Sequence, residues 1–465
     1  DARRRRRQVA IAWLDLRNAF GSISHTTIFY TLRWLGLHED SINVVRNLYN
    51  DCCTTIRSAD TCTDNIPIKA GVKQGCPLSP IIFNMALEPL IRAISESGLG
   101  YTMGNGKFNI LAYADDIAII ADSADDLQKL LNIVASVAEW LGIQFNPSKC
   151  ATLHVDGRSH TSKNTTFELN DQPLTALKND EFYEHLGVPT GFNICSSPDD
   201  VVTKMLNQIK TIDSSLLAPW QKFDALKTFI VPQIEFQLKT SSVTKSSLTK
   251  YDKIVKRHAK KWANLPQRAS PEILYIENQH GGFGLLPLNI LADAAHVIHA
   301  FRLLTSPDQK IVDTVKFSLE EVVKKRIRRT PVQKEIDDYL NSSFDAPLDQ
   351  PSNDICSIWS RVRTAMRRLK KTIHVEFKED TIIVDNTVTE RKNLESALRQ
   401  AIRKSFLNKL LQKPDQGKVF EVTASNSASN HFLRAGNYTR FAEWRFIHRA
   451  RLNTLPLNGS RHFGN

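Results

Sequence analysis

The stretch LAYADDIAII, residues 111–120, places two neighbouring aspartates inside an otherwise apolar run. Burying an unpaired carboxylate is strongly unfavourable, so Asp115 and Asp116 need something that compensates their charge. A strand, a tight turn carrying both acids and a returning strand would present the two carboxylates at a hairpin tip, where a cation could bind them. An exposed hairpin turn without a function explains the same letters, and this stretch alone does not decide between the two.

Three further Asp-Asp pairs in the chain provide a comparison. All three fall at or near predicted helix starts or on polar helical faces, where capping or solvation explains them. They are Asp125-Asp126, Asp199-Asp200 and Asp337-Asp338. Only the pair at 115–116 has apolar residues on both sides.

A third relevant acid, Asp15, closes the stretch QVAIAWLD, residues 8–15, which reads as a buried strand. If this strand lies beside the 107–121 hairpin, the side chains of Asp15, Asp115 and Asp116 converge. Three such carboxylates repel one another unless divalent cations occupy the site. Two Mg²⁺ ions held by aspartates are the usual apparatus of phosphoryl transfer.

Length and composition define the broad class. The 465 residues suggest two to four domains, and 42% hydrophobic with 24% charged residues is typical of a folded globular chain. No apolar run approaches the roughly 20 residues of a membrane span, and no signal peptide is visible, so no membrane partner is expected. The seven cysteines form no CxxC pair, which favours free thiols; they are Cys52, Cys53, Cys62, Cys76, Cys150, Cys195 and Cys356.

The formal net charge of +12 is grouped along the chain. Basic runs lie at 3–7, 324–329 and 361–371. Such runs favour a polyanion-binding surface, and nucleic acid in particular, over a merely solvated helical face. Because the chain begins with Asp1 and not with Met, we expect a fragment of a longer protein.

Hydrophobic patterning divides the chain. The first 190 or so residues combine strands with helices. Helical stretches are predicted up to about 57, followed by a turn with Gly and Pro at 71–77 and a helix at 78–97 that Pro89 should bend. The 107–121 hairpin, an amphipathic helix through Leu141 and a strand at 149–155 come next. From about 197 the pattern is nearly all helical, and one stripe is formed by Val201, Met205, Ile209, Ile212 and Leu216. The fold class is therefore α+β followed by a mostly α region.

Five short motifs occur in a characteristic order. They are Asp15 with Phe20, VKQGCPLSP at 72–80, YADD at 113–116, LGIQFNPSK at 141–149 and EHLGV at 184–188. This series resembles that of reverse transcriptases, and IAWLDLRNAFGSISH most resembles the site-specific non-LTR retrotransposon polyproteins, the type-1 retrotransposable elements with a carboxyl-terminal restriction-like endonuclease. Gly21 departs from the aspartate that many family members have there, but that residue is not a metal ligand.

The resemblance implies a role for each matched residue. Asp15, Asp115 and Asp116 would be catalytic and would bind two Mg²⁺ ions, with Mn²⁺ as a substitute, and Lys149 would neutralise or protonate pyrophosphate. Nucleotide binding would involve Leu16, Phe20, Gln74 and Gly75. The Leu16 backbone carbonyl would be a further metal ligand, and the Phe20 ring would leave no room for a ribose 2′-hydroxyl. A buried aromatic under the helix explains Phe20 equally well. The primer grip would be formed by His185, Leu186, Gly187 and Val188.

The resemblance also implies an architecture. It predicts a right-hand polymerase palm with partial fingers at 1–192, a helical thumb at 193–300 and a basic helical linker at 301–465. A zinc knuckle, the endonuclease and most of the fingers are expected only in the full-length parent.

The expected function is RNA-directed DNA polymerisation that extends a DNA primer on element RNA with dNTPs, in the nucleus. The alternatives are an idle reverse-transcriptase-like scaffold that binds nucleic acid, or another reverse-transcriptase lineage such as an intron maturase or telomerase.

Overall fold

The computed structural model describes residues 1–58, 61–194, 199–241, 243–349, 355–436 and 439–456. Cys195 and the predicted linker beyond 456 therefore lie outside the described residues. The chain divides into two compact units, Asp1–Ile194 and Cys195–Asn465. The first unit ends two residues beyond the predicted palm boundary at 192.

The first unit has six helices and sixteen strands among its described residues. The helices are α1 Ala2–Arg5, α2 Ala19–Ser22, α3 His25–Trp34, α4 Glu39–Tyr49, α5 Ser79–Ser95 and α6 Ala124–Leu141. The strands are β1 Gln8–Leu14, β2 Cys53–Thr54, β3 Arg57–Ser58, β4 Thr61–Cys62, β5 Ile66–Pro67, β6 Tyr101–Met103, β7 Gly106–Phe108, β8 Ile110–Tyr113, β9 Asp116–Ala121, β10 Ala151–Asp156, β11 Thr161–Lys163, β12 Glu168–Leu169, β13 Gln172–Pro173, β14 Thr175–Ala176, β15 Phe182–His185 and β16 Val188–Gly191.

The central sheet has the order β11-β10-β1-β9-β8, with β14 added parallel to β10. All other neighbours in it are antiparallel. Strand β1 therefore lies in the middle, with the strand of the YADD hairpin on one side and β10 on the other. The predicted strand at 8–15 and the predicted hairpin are confirmed as neighbours.

Alternation along β1 gives the sheet two buried faces. Ala10, Ala12 and Leu14 belong to a core shared with α3, α5 and α6, whereas Val9 and Trp13 belong to a second core on the opposite face. This second face is covered in part by the β15–β16 hairpin, through Tyr183. A side chain that follows Trp13 by two residues is thus directed towards that hairpin.

Local sequence explains most helix limits in this unit. Helix α6 is capped at both ends. The Ser123 hydroxyl at its amino-terminal cap accepts a hydrogen bond from the Asp126 amide, and Gly142 at its carboxyl-terminal cap has a φ of 71°. Helix α5 continues through Pro89, as predicted. The helical pattern predicted up to about 57 is wrong at its end, because α4 stops at Tyr49 and short strands follow.

The second unit is mostly helical, as predicted. Its helices are α7 Asp199–Ser214, α8 Pro219–Ala225, α9 Pro232–Thr240, α10 Lys245–Trp262, α11 Leu288–Leu304, α12 Gln309–Ile327, α13 Gln333–Leu340, α14 Ile358–Leu369, α15 Leu394–Leu411, α16 Gln416–Ala424, α17 Phe432–Ala435 and α18 Phe441–Arg451. A π-helix covers Leu226–Ile230, and 3₁₀ helices cover Pro271–Leu274, Asn278–His280 and Ser427–Asn430. Strands β17 Val375–Lys378, β18 Thr381–Val384 and β19 Thr387–Thr389 form an antiparallel sheet.

The predicted thumb at 193–300 and the predicted linker at 301–465 share a hydrophobic core, and their assignment as thumb and linker stays a prediction. Phe420, Trp444 and Leu452 fill the same hydrophobic core as helices α7, α10 and α11. The last part of the chain supplies side chains that these earlier helices need for burial, so both predicted segments form one unit. Among the described residues, none of the helices has the length and apolar content that a membrane crossing requires.

Candidate active site

The register of the central sheet brings Asp15 and Asp116 together. Strands β1 and β9 pair Trp13 with Ala118 and Leu14 with Ile117. Continuing this antiparallel register by one residue places Asp15 opposite Asp116. Since alternation directs residues 13, 15, 116 and 118 to one face, both carboxylates lie on the face of the β15–β16 hairpin.

The YADD segment is a two-residue hairpin. Tyr113 pairs with Asp116, so Ala114 and Asp115 form the turn, and Ala114 has a positive φ of 52°. Asp115 thus lies at the tip, whereas Asp116 is already the first residue of β9. The prediction that both acids lie within the turn is corrected for Asp116, because its backbone pairs with the partner strand.

Electrostatics show that these acids influence one another. Burial raises the pKa of Asp116 above its ordinary value, and the negative charges of Asp115 and Asp15 raise it further, while His185 opposes the rise. An acid held near like charges is a frequent property of functional sites. Asp116 therefore gains from any cation that binds between these carboxylates.

Lys149 lies beside the first acid. Its Nζ is 3.8 Å from Oδ2 of Asp15, and its side chain is 67% exposed, so it is free to move towards a ligand. Backbone contacts keep Lys149 near Asp15. The Asn146 amide donates a hydrogen bond to the Asp15 carbonyl at 2.9 Å, and Leu16 forms a β-bridge with Phe145. The loop that ends in Lys149 is thereby fastened to the end of β1.

The predicted primer grip forms the β15–β16 hairpin. His185 pairs with Val188, and the turn residues Leu186 and Gly187 have positive φ values of 51° and 73°. Leu186 is 41% exposed. The structure thus places the tip of this hairpin in the open and His185 within electrostatic range of Asp116.

Three residues of this site were missed by sequence reasoning. The Tyr183 ring stacks on Trp13 with centroids 5.5 Å apart, and burial, assisted by the charges of Asp15, Cys150 and Asp116, raises the pKa of Tyr183 to about 12. The Asp15 amide donates to the Cys150 sulfur at 3.3 Å. Burial raises the pKa of that thiol to about 11 and keeps it neutral. Alternation could have found Trp13 and Tyr183, because each precedes a predicted site residue by two positions.

The residues predicted to contact the nucleotide form a second group. The Val72 amide donates to the Phe20 carbonyl and the Gly71 amide to the Ile23 carbonyl, each at 2.7 Å. The Phe20 ring is partly buried and packs on Phe83 with centroids 4.5 Å apart. The loop at 71–77 is therefore fixed to the segment that carries Phe20.

Gln74 and Gly75 lie at the exposed part of this loop. Gly75 has a φ of +81°, and a Cβ built on it meets no atom within 4 Å. The backbone at Gly75 is thus open to close approach by a ligand.

The donor chemistry of the acidic group fits a hard divalent cation, because carboxylate oxygens are the ligands that Mg²⁺ and Mn²⁺ prefer. Burial and the neighbouring charges of Asp115 and Asp15 raise the pKa of Asp116, and a bound cation would oppose that rise. As the side chains stand, the described residues contain no group of three or more His, Cys, Asp or Glu at metal-binding distances. The predicted ligand set therefore stays a prediction.

With this geometry in place, comparison with known proteins identifies the class. Residues 1–189 match the family described as reverse transcriptase (RNA-dependent DNA polymerase). This match covers nearly all of the first unit, Asp1–Ile194, which is therefore a reverse-transcriptase domain. Residues 295–454 match a second family, the T26G10.4 domain.

Polyproteins of retrotransposable elements are among the relatives similar to this chain. The polyprotein of type-2 retrotransposable element R2DM from Drosophila melanogaster is 30% identical over 293 residues, which cover 62% of this chain and 27% of the relative. A type-1 element R2 polyprotein from Popillia japonica is 28% identical over 279 residues, covering 59% and 46% respectively. Residues 1–189 are thus similar to the reverse-transcriptase part of non-LTR retrotransposon polyproteins. It spans less than half the length of these two relatives.

Two other similarities have a different extent. The uncharacterized protein T26G10.4 of Caenorhabditis elegans is 27% identical over 335 residues, which cover 68% of this chain and 95% of that protein. The structure of telomerase from Candida tropicalis, solved with a fragment of telomeric RNA, is similar with a TM-score of 0.29 and 13% sequence identity. The match covers 67% of this chain and 49% of the telomerase chain. A likeness of that size supports no conclusion about this chain.

Proposed function

We propose that this chain extends the 3′-hydroxyl of a DNA primer on an RNA template, using dNTPs. The observation that supports this most is that the Asp116 carboxylate lies within electrostatic range of both Asp115 and Asp15, inside the segment that matches reverse transcriptases. In a non-LTR element the primer would be nicked target DNA and the template the element's own RNA, which implies action in the nucleus.

The carboxylates of Asp15, Asp115 and Asp116 would hold two Mg²⁺ ions. Bound there, the ions would lower the pKa of the attacking hydroxyl and stabilise the triphosphate charge. Lys149, exposed and 3.8 Å from Asp15, would supply a positive charge or a proton to the departing pyrophosphate. Tyr183 stays protonated beside the acids and contributes no competing charge.

Nucleotide selection would depend on Phe20. Its ring is fixed against Phe83 on one side, so the ring cannot withdraw easily from a bound sugar. Gln74 and Gly75 would lie over the base pair that forms. The β15–β16 hairpin, with His185 near Asp116, would position the primer end.

Primer extension tests this proposal. A DNA primer annealed to an RNA template is incubated with the chain, Mg²⁺ and dNTPs. Asp15→Asn, Asp115→Asn and Asp116→Asn should each slow extension by roughly 100-fold or more, because each removes charge that faces the reacting groups. Phe20→Val should admit ribonucleotides.

The matched control is the double variant Asp125→Asn/Asp126→Asn, which alters the other Asp-Asp pair at the start of α6. It should extend primers like the unmodified chain. No extension by the unmodified chain, or equal extension by Asp115→Asn, would contradict the proposal.

A further inference from the structure

The basic run at 361–371 does not form a single charged surface. Arg363 is buried and donates to the carbonyls of Tyr339 and Ser343, so it holds α13 and the following turn against α14. Arg368 lies 3.5 Å from Asp293 of α11. These guanidinium groups serve the fold of the second unit and are not free to bind a ligand.

The run continues past α14 into a groove. Lys370 and Lys371 line a cavity of about 830 Å³ between the start of β17 and the last turns of α15. Its charged and titratable residues are Lys370, Lys371, His374, Lys404 and Lys409 on the basic side, and Glu376 and Asp385 on the acidic side. Lysines outnumber carboxylates by two to one, so the groove attracts anions.

Three of the four groove lysines, Lys370, Lys371 and Lys409, form no ion pair with another described residue, and burial lowers the pKa of Lys370. The Lys409 Nζ lies over the Phe406 ring at 5.4 Å from its centroid, and Lys404 pairs with Asp385 at 3.9 Å. Lys371 and Lys409 are both exposed, and their ammonium groups are available to phosphate oxygens.

A second cavity of about 670 Å³ adjoins the groove. The two share Asp385, Ala401, Lys404 and Asn408 as a common wall. The second cavity has an apolar part, made by Ile276, Val384, Ala397 and Leu407, and hydrogen-bonding groups on Gln279, His280, Thr387 and Gln400. A cavity that combines an apolar part with several hydrogen-bonding side chains suits a planar heterocycle.

The Arg403 guanidinium closes one side of this second cavity. Its Nη1 is 3.2 Å from Oε1 of Glu277, while its Nε is buried without a partner. The polar wall therefore contains a buried N–H donor that no acceptor of the protein satisfies.

We propose that this paired cavity is a binding site for single-stranded nucleic acid, separate from the palm. The phosphates would lie in the groove against Lys371 and Lys409, and one unpaired base would enter the adjoining cavity. A duplex cannot supply that base, because its bases are stacked and paired. The inference concerns binding by the second unit and does not depend on the proposed polymerase activity.

Binding of a fluorescein-labelled single-stranded oligonucleotide to the full chain tests the phosphate part. Anisotropy is measured over a series of salt concentrations for the unmodified chain and for Lys371→Ala/Lys409→Ala. Each lost phosphate contact should weaken binding and reduce the slope of log K against log salt by about 0.7. Parallel titrations with RNA and DNA show which sugar is preferred.

The control variant Lys310→Ala/Lys418→Ala removes the same charge from exposed positions of the same unit that line neither cavity. Its salt slope should equal that of the unmodified chain, and circular dichroism should show both variants folded. Equal slopes for all three proteins, or preferential binding of an acidic peptide or of anionic vesicles to the groove, would overturn the proposal.

The base cavity has its own test. Thr387→Trp places a large ring at the exposed edge of that cavity. The unmodified chain should prefer an oligonucleotide with bases over the same strand with abasic sites, and Thr387→Trp should lose this preference while keeping the salt slope. Photo-crosslinks from a 4-thiouridine strand should fall on residues 370–376 and 400–409. Crosslinks confined to the first unit would contradict the assignment.

Discussion

At the scale of single residues, the same dipeptide has two physical roles in this chain. Asp125 and Asp126 lie in the first turn of α6, where the Asp126 amide is capped by Ser123 and the acids favour the helix start. Asp116 is instead half-buried beside Asp115 and Asp15, where its ionisation is opposed. The flanking apolar residues distinguished the two pairs in the sequence.

Because of this difference, replacing Asp116 or Asp125 by asparagine should change the stability of the folded chain in opposite directions. The folded pKa of Asp116 is raised above the ordinary 3.8, so its contribution to stability is present in acid and is lost as pH rises through the raised pKa. Asp116→Asn should therefore raise the thermal unfolding midpoint at neutral pH in EDTA, and the gain should disappear below pH 3.8. Asp125→Asn should lower stability by about 0.3 to 1 kcal/mol. A neutral or destabilising Asp116→Asn at pH 7 would count against the coupling.

At the scale of elements, two glycines of the loop at 71–77 differ in the space around them. A Cβ on Gly71, which has a φ of +86°, would lie 2.7 Å from the Gly21 Cα and 2.8 Å from the Phe20 carbonyl oxygen, whereas Gly75 faces open space. Gly71→Ala should destabilise the first unit by about 2 to 4 kcal/mol, against about 1 kcal/mol for Gly75→Ala. Denaturant unfolding measures both. Equal losses would show that backbone strain alone determines the effect.

The β15–β16 hairpin depends on one aromatic contact for its placement. The Tyr183 ring stacks on the ring of Trp13, with centroids 5.5 Å apart and 14° between the ring planes. Trp13 precedes Asp15 by two residues. Tyr183→Ala loses this stacking, about 0.5 to 1.5 kcal/mol, and should raise the KM for primer. Tyr183→Phe keeps the ring and should behave like the unmodified chain in primer extension. An equal defect in both variants would mean that the hydroxyl, and not the stacking, is what matters.

Elements with strong periodicity were predictable, and those defined by distant contacts were not. The strand at 8–14, the YADD hairpin and helix α6 follow from apolar spacing. The stripe predicted in α7 is correct at Met205 and Ile209 but fails at Leu216, which lies beyond the helix end at Ser214 and is fully exposed.

The sheet β17–β19 was missed, although its sequence contains a signal. Val375, Phe377, Ile382 and Val384 alternate as buried residues, and Asp385 and Asn386 form a turn with positive φ values of 47° and 65°. The strands are only three or four residues long, and the basic helices around them dominated the local pattern. The lysine groove next to this sheet was for the same reason outside reach of sequence reasoning.

At the scale of the whole molecule, the carboxyl-terminal helices of the second unit complete its hydrophobic core. Trp444 of α18 is fully buried and contacts Phe223 and Phe283, residues far away in sequence. No local pattern indicates such a contact, which explains why a separate linker was predicted. A hydrophobic core that needs both ends of a unit makes that unit fold as one.

Two aromatic substitutions in α18 test this closure. Trp444→Ala should destabilise the second unit by about 3 to 5 kcal/mol because it leaves a cavity. Phe446→Ala, at a position that is 57% exposed, should change stability by less than about 0.5 kcal/mol. Thermal unfolding followed by tryptophan fluorescence and circular dichroism compares them. Similar midpoints for both variants would show that residues beyond 410 are dispensable to the core.

Carboxylates at the ends of neighbouring palm strands are proposed to form one cation site. The most direct measurement is Mn²⁺ binding, followed by electron paramagnetic resonance, to the chain with a dideoxy-terminated primer on an RNA template and the next dNTP. We predict that Asp15→Asn and Asp116→Asn each lose the tightly bound Mn²⁺ that Asp125→Asn/Asp126→Asn retains. Unchanged Mn²⁺ binding in Asp15→Asn and Asp116→Asn would contradict the account.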